Sequence, residues 1–193
     1  MLLSAWPFMH ALGQGSIILL NGKTLDFTKA DTLTGKVIYV ERDSGRKKKK
    51  DLQDVFNIRY QGGEVLKIYR TDSTDNEASY EQMEMFIRGE QDAMQRYRPM
   101  LSPAGAFVTG MAGGIGGFYG LLLPAGYATI TGVSRISDRR IGNMGIPEPY
   151  LHNEDYLEGF NHKAREKRII RSSLFGVAGF IGGIFLYRHV SNK

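Results

Sequence analysis

The chain contains no cysteine, and this absence excludes disulfide bonds, thiolate metal sites, thiolate nucleophiles and a lipid attached to an N-terminal cysteine. The formal net charge is only +5 over 193 residues. Arginines do not alternate with aromatic residues in the pattern that nucleic-acid surfaces use. The sequence therefore predicts no nucleic-acid partner.

Recognisable catalytic motifs are missing as well. The glycine-rich run is no dinucleotide fingerprint, because Tyr119 stands at the third glycine position counted from Gly114, and no Walker lysine follows Gly120. No nucleophile elbow is present. The histidines are scattered and none pairs with a second ligand on one helix face; they are His10, His152, His162 and His189. We predict no catalytic residue, cofactor or metal, and expect a protein that is not an enzyme.

Charge is also missing locally. Residues 99–134 contain no charged side chain, whereas the segments on both sides are dense in charge. The mean hydropathy of −0.27 conceals this division. The sequence predicts a polar part and a membrane part in one chain.

The N-terminus resembles the end of a secretory signal peptide. Residues 1–13 are mostly apolar and end in Ala11-Leu12-Gly13, a small-x-small pattern that suits cleavage before Gln14. The usual basic region is missing, so we predict a truncated signal peptide. A short, partly buried apolar arm is the alternative.

Residues 16–70 have the pattern of a small antiparallel β-roll or barrel. Apolar runs of strand length alternate with turn signals such as Asn21-Gly22, which favours a hairpin. One turn is followed by five consecutive cations, which are Arg46, Lys47, Lys48, Lys49 and Lys50. These cations either protect an edge strand from aggregation or contact an anionic surface.

An amphipathic helix is predicted over residues 79–98. Ser79 with Gln82 has the spacing of a capping box, and apolar residues recur at helical intervals until Pro99. A glycine-rich membrane segment follows at residues 104–134, in which residues 104–123 are long enough to cross a bilayer. A hairpin made by the whole segment is the alternative. Its glycines recur at four-residue spacing, which favours close helix packing in lipid; they are Gly110, Gly113, Gly114, Gly116, Gly117 and Gly120.

A second membrane segment is predicted at residues 172–187, where Gly179 and Gly183 repeat the four-residue spacing. Between the segments lies a basic loop and helix at residues 135–171. The excess of cations there places this loop in the cytoplasm by the positive-inside rule, and residues 16–98 outside. A loose internal repeat supports the pairing, because residues 86–89 and residues 156–159 each precede a basic stretch and a glycine-rich span.

The order of these features resembles a group of uncharacterised envelope membrane proteins from Bacteroidota. The most specific matches are residues 87–93, Ile-Arg-Gly-Glu-Gln-Asp-Ala, and the helix with Tyr156, Gly159, Ala164 and Arg165. The resemblance covers most of the chain and implies export and membrane residence. It implies no activity.

The sequence thus predicts an α+β membrane protein of the cell envelope, in the inner membrane with its N-terminal domain outside. The leading hypothesis for function is an anchored, non-enzymatic protein whose β-domain binds a protein or a polyanion. The alternative is a homo-oligomeric pore or transport component, and a membrane enzyme is the weakest hypothesis. The expected partners are the lipid bilayer and, through the glycine faces, a second copy or another envelope protein.

Overall fold

The computed structural model describes residues 13–33, 35–71 and 78–191. The chain divides into two compact units, residues 1–83 and residues 84–193. The predicted signal peptide lies outside the described residues except for Gly13.

The first unit is a sheet of six strands with a 3-10 turn at Leu52–Asp54. The strands are β1 (Gly15–Leu19), β2 (Thr24–Leu33), β3 (Lys36–Glu41), β4 (Lys47–Asp51), β5 (Val55–Tyr60) and β6 (Val65–Lys67). Every pair is antiparallel and the order is β4-β3-β2-β1-β5-β6. The antiparallel β-domain is confirmed, and in the described residues its sheet has β4 and β6 at the edges and does not close into a barrel.

One face of this sheet carries the core. Alternation along the strands directs large apolar side chains to the same side; the buried set is Ile17, Leu19, Phe27, Val37, Tyr39, Val55 and Ile58. The predicted hairpin joins β1 to β2, where Gly22 has φ 74°, a value that glycine adopts without strain. The turn closes with a hydrogen bond of 2.9 Å from the Leu19 N–H to the Lys23 carbonyl oxygen.

The second unit is helical. Its helices are α1 (Tyr80–Arg96, whose first turn belongs to the first unit), α2 (Leu101–Ile115), α3 (Leu122–Val133), α4 (Asp138–Gly142), α5 (Glu148–Leu151) and α6 (Glu154–Ser191), with a 3-10 turn at Phe118–Leu121. The predicted capping box is confirmed, since Ser79 Oγ accepts from the Gln82 N–H and the Ser79 N–H donates to Gln82 Oε1. Sheet followed by helices confirms the α+β class.

The predicted membrane segment of residues 104–134 forms a helical hairpin, which was the alternative to one continuous helix over residues 104–123. Helix α2 ends at Ile115, and Gly117 takes φ 74° and ψ −153°, a backbone conformation that is essentially confined to glycine. Helix α3 then returns along α2. Gly113 faces Gly120 and, farther from the turn, Gly105 faces Tyr127, which shows that the two helices are antiparallel.

Proline is not the cause of this reversal. Pro124 lies in the first turn of α3, where its missing N–H has no intrahelical partner to lose. The reversal is completed before it, at Gly116, Gly117 and the 3-10 turn.

The second predicted segment, residues 172–187, is the apolar part of α6. In the part of the chain that the structure describes, α6 is the one helix long and apolar enough to cross a membrane. It contains 38 residues without interruption, so the polar residues 154–171 and the apolar residues belong to one rigid element. Helices α1 and α2 lie along α6 in succession and run parallel to it, because residues 89, 102 and 114 face residues 156, 172 and 183.

The polar half of this unit has its own core. Ala93 and Tyr97 from the α1 side pack with Ile136 and Ile141, which follow the hairpin, and with the first half of α6 through Tyr156, Phe160 and Ala164. Residues that precede and follow the hairpin therefore meet at the same end of it.

Candidate functional site

Four of the predicted packing glycines lie on the contact between α2 and α6. A Cβ at Gly110, Gly114, Gly179 or Gly183 would overlap a carbonyl oxygen of the facing helix. The facing residues are, in that order, Gly176, Phe180, Phe107 and Met111. The two backbones are therefore in direct contact, as in small-residue helix pairs in membranes.

The other four predicted glycines lie at the hairpin turn. Gly113 and Gly120 face each other across it, and a Cβ on either would overlap the other's backbone. Gly116 has only ordinary contacts at 3.5 Å and beyond, and Gly117 has open space but a positive φ. These two glycines form the turn and do not pack helices.

The contact continues into the polar half through residues that the sequence reading missed. A Cβ on Gly89 would overlap the Tyr156 carbonyl oxygen, and a Cβ on Gly159 would overlap that of Phe86. Gly89 and Gly159 are 70 positions apart, and so are the residues that they face, Phe86 and Tyr156. Ser102 and Ser172, also 70 apart, share a hydrogen bond of 2.5 Å. The internal repeat was the available signal, since it already aligned residues 86–89 with residues 156–159.

The apolar half of the second unit has small residues inside and large apolar residues outside. Ala106, Gly110, Gly176 and Ser172 are buried. More than half of each of several large side chains is exposed; these include Leu101, Val108, Leu122, Ile130, Val133, Leu174, Val177 and Phe185. A continuous apolar surface of this kind is unusual in water and normal against lipid or a partner.

Two neighbouring cations of α6 hold the ends of two other helices. Lys167 Nζ donates to the carbonyl oxygens of Ala93, Met94 and Tyr97 at 2.6–3.1 Å, which satisfies the last turn of α1. Arg168, only 8% exposed, donates to Ser134 Oγ at 2.7 Å and to the Ser134 carbonyl oxygen, just beyond α3. Lys167 and Arg168 belong to the basic loop and helix predicted at residues 135–171, and this segment therefore takes part in the packing of the helices.

The predicted cation run lies on an edge of the sheet. Lys47–Asp51 form β4, which pairs only with β3 in the described sheet, so its other backbone edge is open. Lys48 and Lys50 stand opposite Tyr39 and Val37 and share the core side of the sheet. Their ammonium groups are paired with carboxylates, Lys48 with Glu41 at 2.7 Å and Lys50 with Asp54 at 2.8 Å.

Lys47 and Lys49 belong to the opposite face. They stand opposite Val40 and Ile38 in the register with β3. Both side chains are exposed, and neither forms an ion pair with a described residue. Together with Arg46, which precedes the strand, they are the cations of the predicted run that remain available to contact an anionic surface.

A buried carboxylate lies in the polar half of the second unit. Glu90 is 1% exposed, and its Oε1 lies 2.7 Å from Nδ1 of His162 on α6. Its Oε2 is buried and has no hydrogen-bond partner among the described residues. Burial raises the pKa of Glu90, and the His162 contact and the charge of Lys163 offset this only in part. Glu90 is buried because Gly89 brings this part of α1 against α6.

Asp92 behaves differently from Glu90. It pairs with Arg96 at 3.3 Å, four residues on, as the sequence indicates for a surface pair. It also accepts a hydrogen bond of 2.7 Å from the Tyr156 hydroxyl. Burial and the Asp92 carboxylate raise the pKa of that hydroxyl. Both carboxylates therefore join α1 to α6.

No constellation in the described residues has the form of a catalytic or metal centre. Three or more His, Asp or Glu side chains at metal-ligand distances are not found there. A cleft of about 370 Å³ beside α4 is lined by Arg135, Asp138, Glu154 and Glu158, among others, and no buried unpartnered group points into it. His152 and His189 lie apart from His162, and His10 lies outside the described residues.

Comparison with family models, with curated proteins and with solved structures finds no match for this chain.

The helix contact predicts opposite effects for two alanine substitutions on the same turn of α6. Gly179→Ala should lower the free energy of unfolding by about 1–3 kcal/mol, because its Cβ would push the Phe107 backbone away. Gly182→Ala has open space and should leave stability unchanged or raise it by up to about 1 kcal/mol. Unfolding of the purified protein in mixed detergent micelles measures both, and equal losses would contradict the assigned contact.

The buried carboxylate predicts a pH-dependent stability difference. Because the folded pKa of Glu90 is raised above 4.5, the neutral group favours folding below that pH, and this contribution is lost as pH rises through the folded pKa. Glu90→Gln should therefore become progressively more stable than the natural protein as pH rises from about 4.5 through the folded pKa of Glu90. Unfolding measured across this pH range gives the difference. A pH-independent difference would show that Glu90 is not buried as a titrating acid.

Proposed function

We propose that this chain is a non-enzymatic membrane-anchored protein, in which the apolar half of the second unit lies in a bilayer and the β-domain binds a polyanionic partner. The observation that carries the anchor is the reversed distribution of residue size, with glycine and alanine inside the helix contacts and large apolar side chains outside. In lipid, helices associate by close packing and not by burying apolar surface, so exposed large apolar side chains carry no free-energy penalty there.

The proposed anchor consists of one crossing helix and one returning hairpin. The uncharged residues 172–187 of α6 extend about 24 Å, and the helix reaches about 30 Å, the thickness of the hydrocarbon core, at Ser191, with Arg188 and His189 in its last turn. The 15 residues of α2 reach about 22 Å and the 12 residues of α3 about 18 Å. The hairpin therefore enters and returns on one side of the bilayer, while the end of α6 reaches the other side.

This arrangement revises the topology that the sequence predicted. Residues 16–98 and residues 135–171 lie on the same side of the proposed bilayer, because no crossing separates them and Tyr97, Ile136 and Phe160 share a core. The charge rule now assigns this whole cation-rich side to the cytoplasm, whereas the predicted signal peptide assigns it to the outside. The expected inner-membrane location with an external β-domain stays a prediction that a measurement of sidedness tests.

Cysteine accessibility tests this topology without background, because the natural chain has no cysteine. Thr71→Cys and His152→Cys should be labelled by an impermeant maleimide from the same side of sealed membranes. Ser191→Cys should be labelled only from the opposite side. Labelling of positions 71 and 152 from opposite sides would restore two crossings and overturn the hairpin anchor.

The pore hypothesis was based on glycine faces that would be free to join copies of the chain. Gly110, Gly114, Gly179 and Gly183 are instead occupied by contacts within one chain. The proposed binding function of the β-domain is supported by Lys47 and Lys49, which have no ion pair among the described residues.

The polyanion proposal predicts a difference between the two faces of β4. Replacing Lys47 and Lys49 together by alanine should weaken binding of inorganic polyphosphate by roughly thirtyfold at low salt, since each exposed cation contributes about 1 kcal/mol. The matched double variant of Lys48 and Lys50 should lose less, because Glu41 and Asp54 already neutralise those charges. Titration of the full chain in detergent measures both. Equal affinities for all three proteins would refute a polyanion site on this strand.

A further inference from the structure

Three arginines mark the borders of the uncharged segments. No charged residue occurs between Arg98 and Arg135, and none between Arg171 and Arg188. Arg98 precedes α2, Arg135 follows α3 and Arg171 lies where α6 becomes apolar. All three side chains are exposed.

Hydrogen bonds bring these three borders to one level of the second unit. Ser102 and Ser172 share a hydrogen bond of 2.5 Å, which aligns the start of α2 with α6 just beyond Arg171. Arg168 donates to Ser134, which aligns the end of α3 with the same turn. Lys167 donates at 2.6 Å to the carbonyl oxygen of Tyr97, the residue before Arg98. We name Arg98, Arg135 and Arg171 the arginine belt.

Arg98 and Arg171 lie among other cations, whereas Arg135 also lines the cleft that contains Asp138, Glu154 and Glu158. None of its arginines forms an ion pair among the described residues. The nearby carboxylate Glu166 is taken by Lys163 at 2.6 Å. Burial, Arg171, Arg98 and Lys163 together lower the pKa of Lys167, which lies outside the apolar part of α6, so the surroundings of this lysine are positive.

Exposed apolar side chains follow the belt immediately. Leu101 is 80% exposed three residues after Arg98, Val133 is 71% exposed two residues before Arg135, and Leu174 is 65% exposed three residues after Arg171. Cations above and apolar surface below fit a molecule that has an anionic head and hydrocarbon tails. A free inorganic anion would make no use of the apolar residues.

We propose that the arginine belt is a binding site for the headgroups of anionic phospholipids. The guanidinium groups pair with the lipid phosphate, and the acyl chains lie along α2, α3 and α6. The proposal rests on the membrane anchor proposed above and adds the lipid class that the anchor selects. Lys167 and Arg168 set the level of the belt, and their own donors are directed to Tyr97 and Ser134.

Native mass spectrometry of the full chain, released from micelles that contain phosphatidylglycerol or phosphatidylcholine, tests the selection. The natural protein should retain phosphatidylglycerol about tenfold better, and millimolar inorganic phosphate should not displace it. The double variant Arg98→Gln with Arg171→Gln should lose this preference, whereas Arg98→Lys with Arg171→Lys should keep most of it. Arg139→Gln with Arg140→Gln, exposed cations on α4, is the matched control and should behave like the natural protein.

Equal retention of the two lipids, displacement by phosphate, or an unchanged preference in the glutamine variant would overturn the belt. A control variant that loses the preference equally would do the same, because it would show a general charge effect. Unchanged melting temperatures verify that the variants fold. Flotation with vesicles of pure phosphatidylcholine separates this failure from that of the anchor: a protein that floats but does not select lipid refutes only the belt, and a protein that does not float refutes the anchor itself.

Discussion

The backbone contact between α6 and the two helices beside it, α1 and α2, is the constraint on which the second unit depends. At Gly89 and Gly159 in the polar half, and at Gly110 and Gly179 in the apolar half, the facing helix occupies the place that a Cβ would take. Any larger residue would move α6 away from its neighbours. The Ser102–Ser172 hydrogen bond and the three carbonyl contacts of Lys167 require that the helices stay in this position. The packing and the polar contacts thus both depend on glycine, which has no side chain, at these positions.

The same contact is stabilised differently in its two halves. Around residues 154–168, α6 buries Tyr156, Phe160 and Ala164 and exposes charge, so the hydrophobic effect in water supports the packing. Around residues 172–187 the large side chains point outward, and dispersion contacts between backbones must supply the attraction, as they do in lipid. One uninterrupted helix therefore has two kinds of surface, and glycines recur in both halves because the helix backbones are in contact in both.

Local patterns predicted much of this structure. The Asn21-Gly22 hairpin, the strands of residues 16–70 and the Ser79–Gln82 capping box follow from chemistry within a few residues. The sequence left a hairpin of residues 104–134 open but could not decide for it, because seven glycines between positions 105 and 120 look alike and only Gly117 takes the positive φ that reverses the chain. The burial of Glu90 was missed because His162 is 72 positions away. Edge pairing of the lysine run needed the order of all six strands.

The proposed anchor pairs its helices within one chain. Residues 86–114 and residues 156–183 contact each other in parallel through glycines on both sides, as two copies would in a homodimer. Joining both segments in one chain removes the translational cost of association, but a parallel pair requires the chain to return to its starting side between them. The hairpin provides this return through α3, and Ser134 at its end is held by Arg168. The adjacent Lys167 holds the end of α1. Two consecutive residues of α6 therefore fix the point where the chain enters the apolar half, after α1, and the point where it leaves that half, after α3.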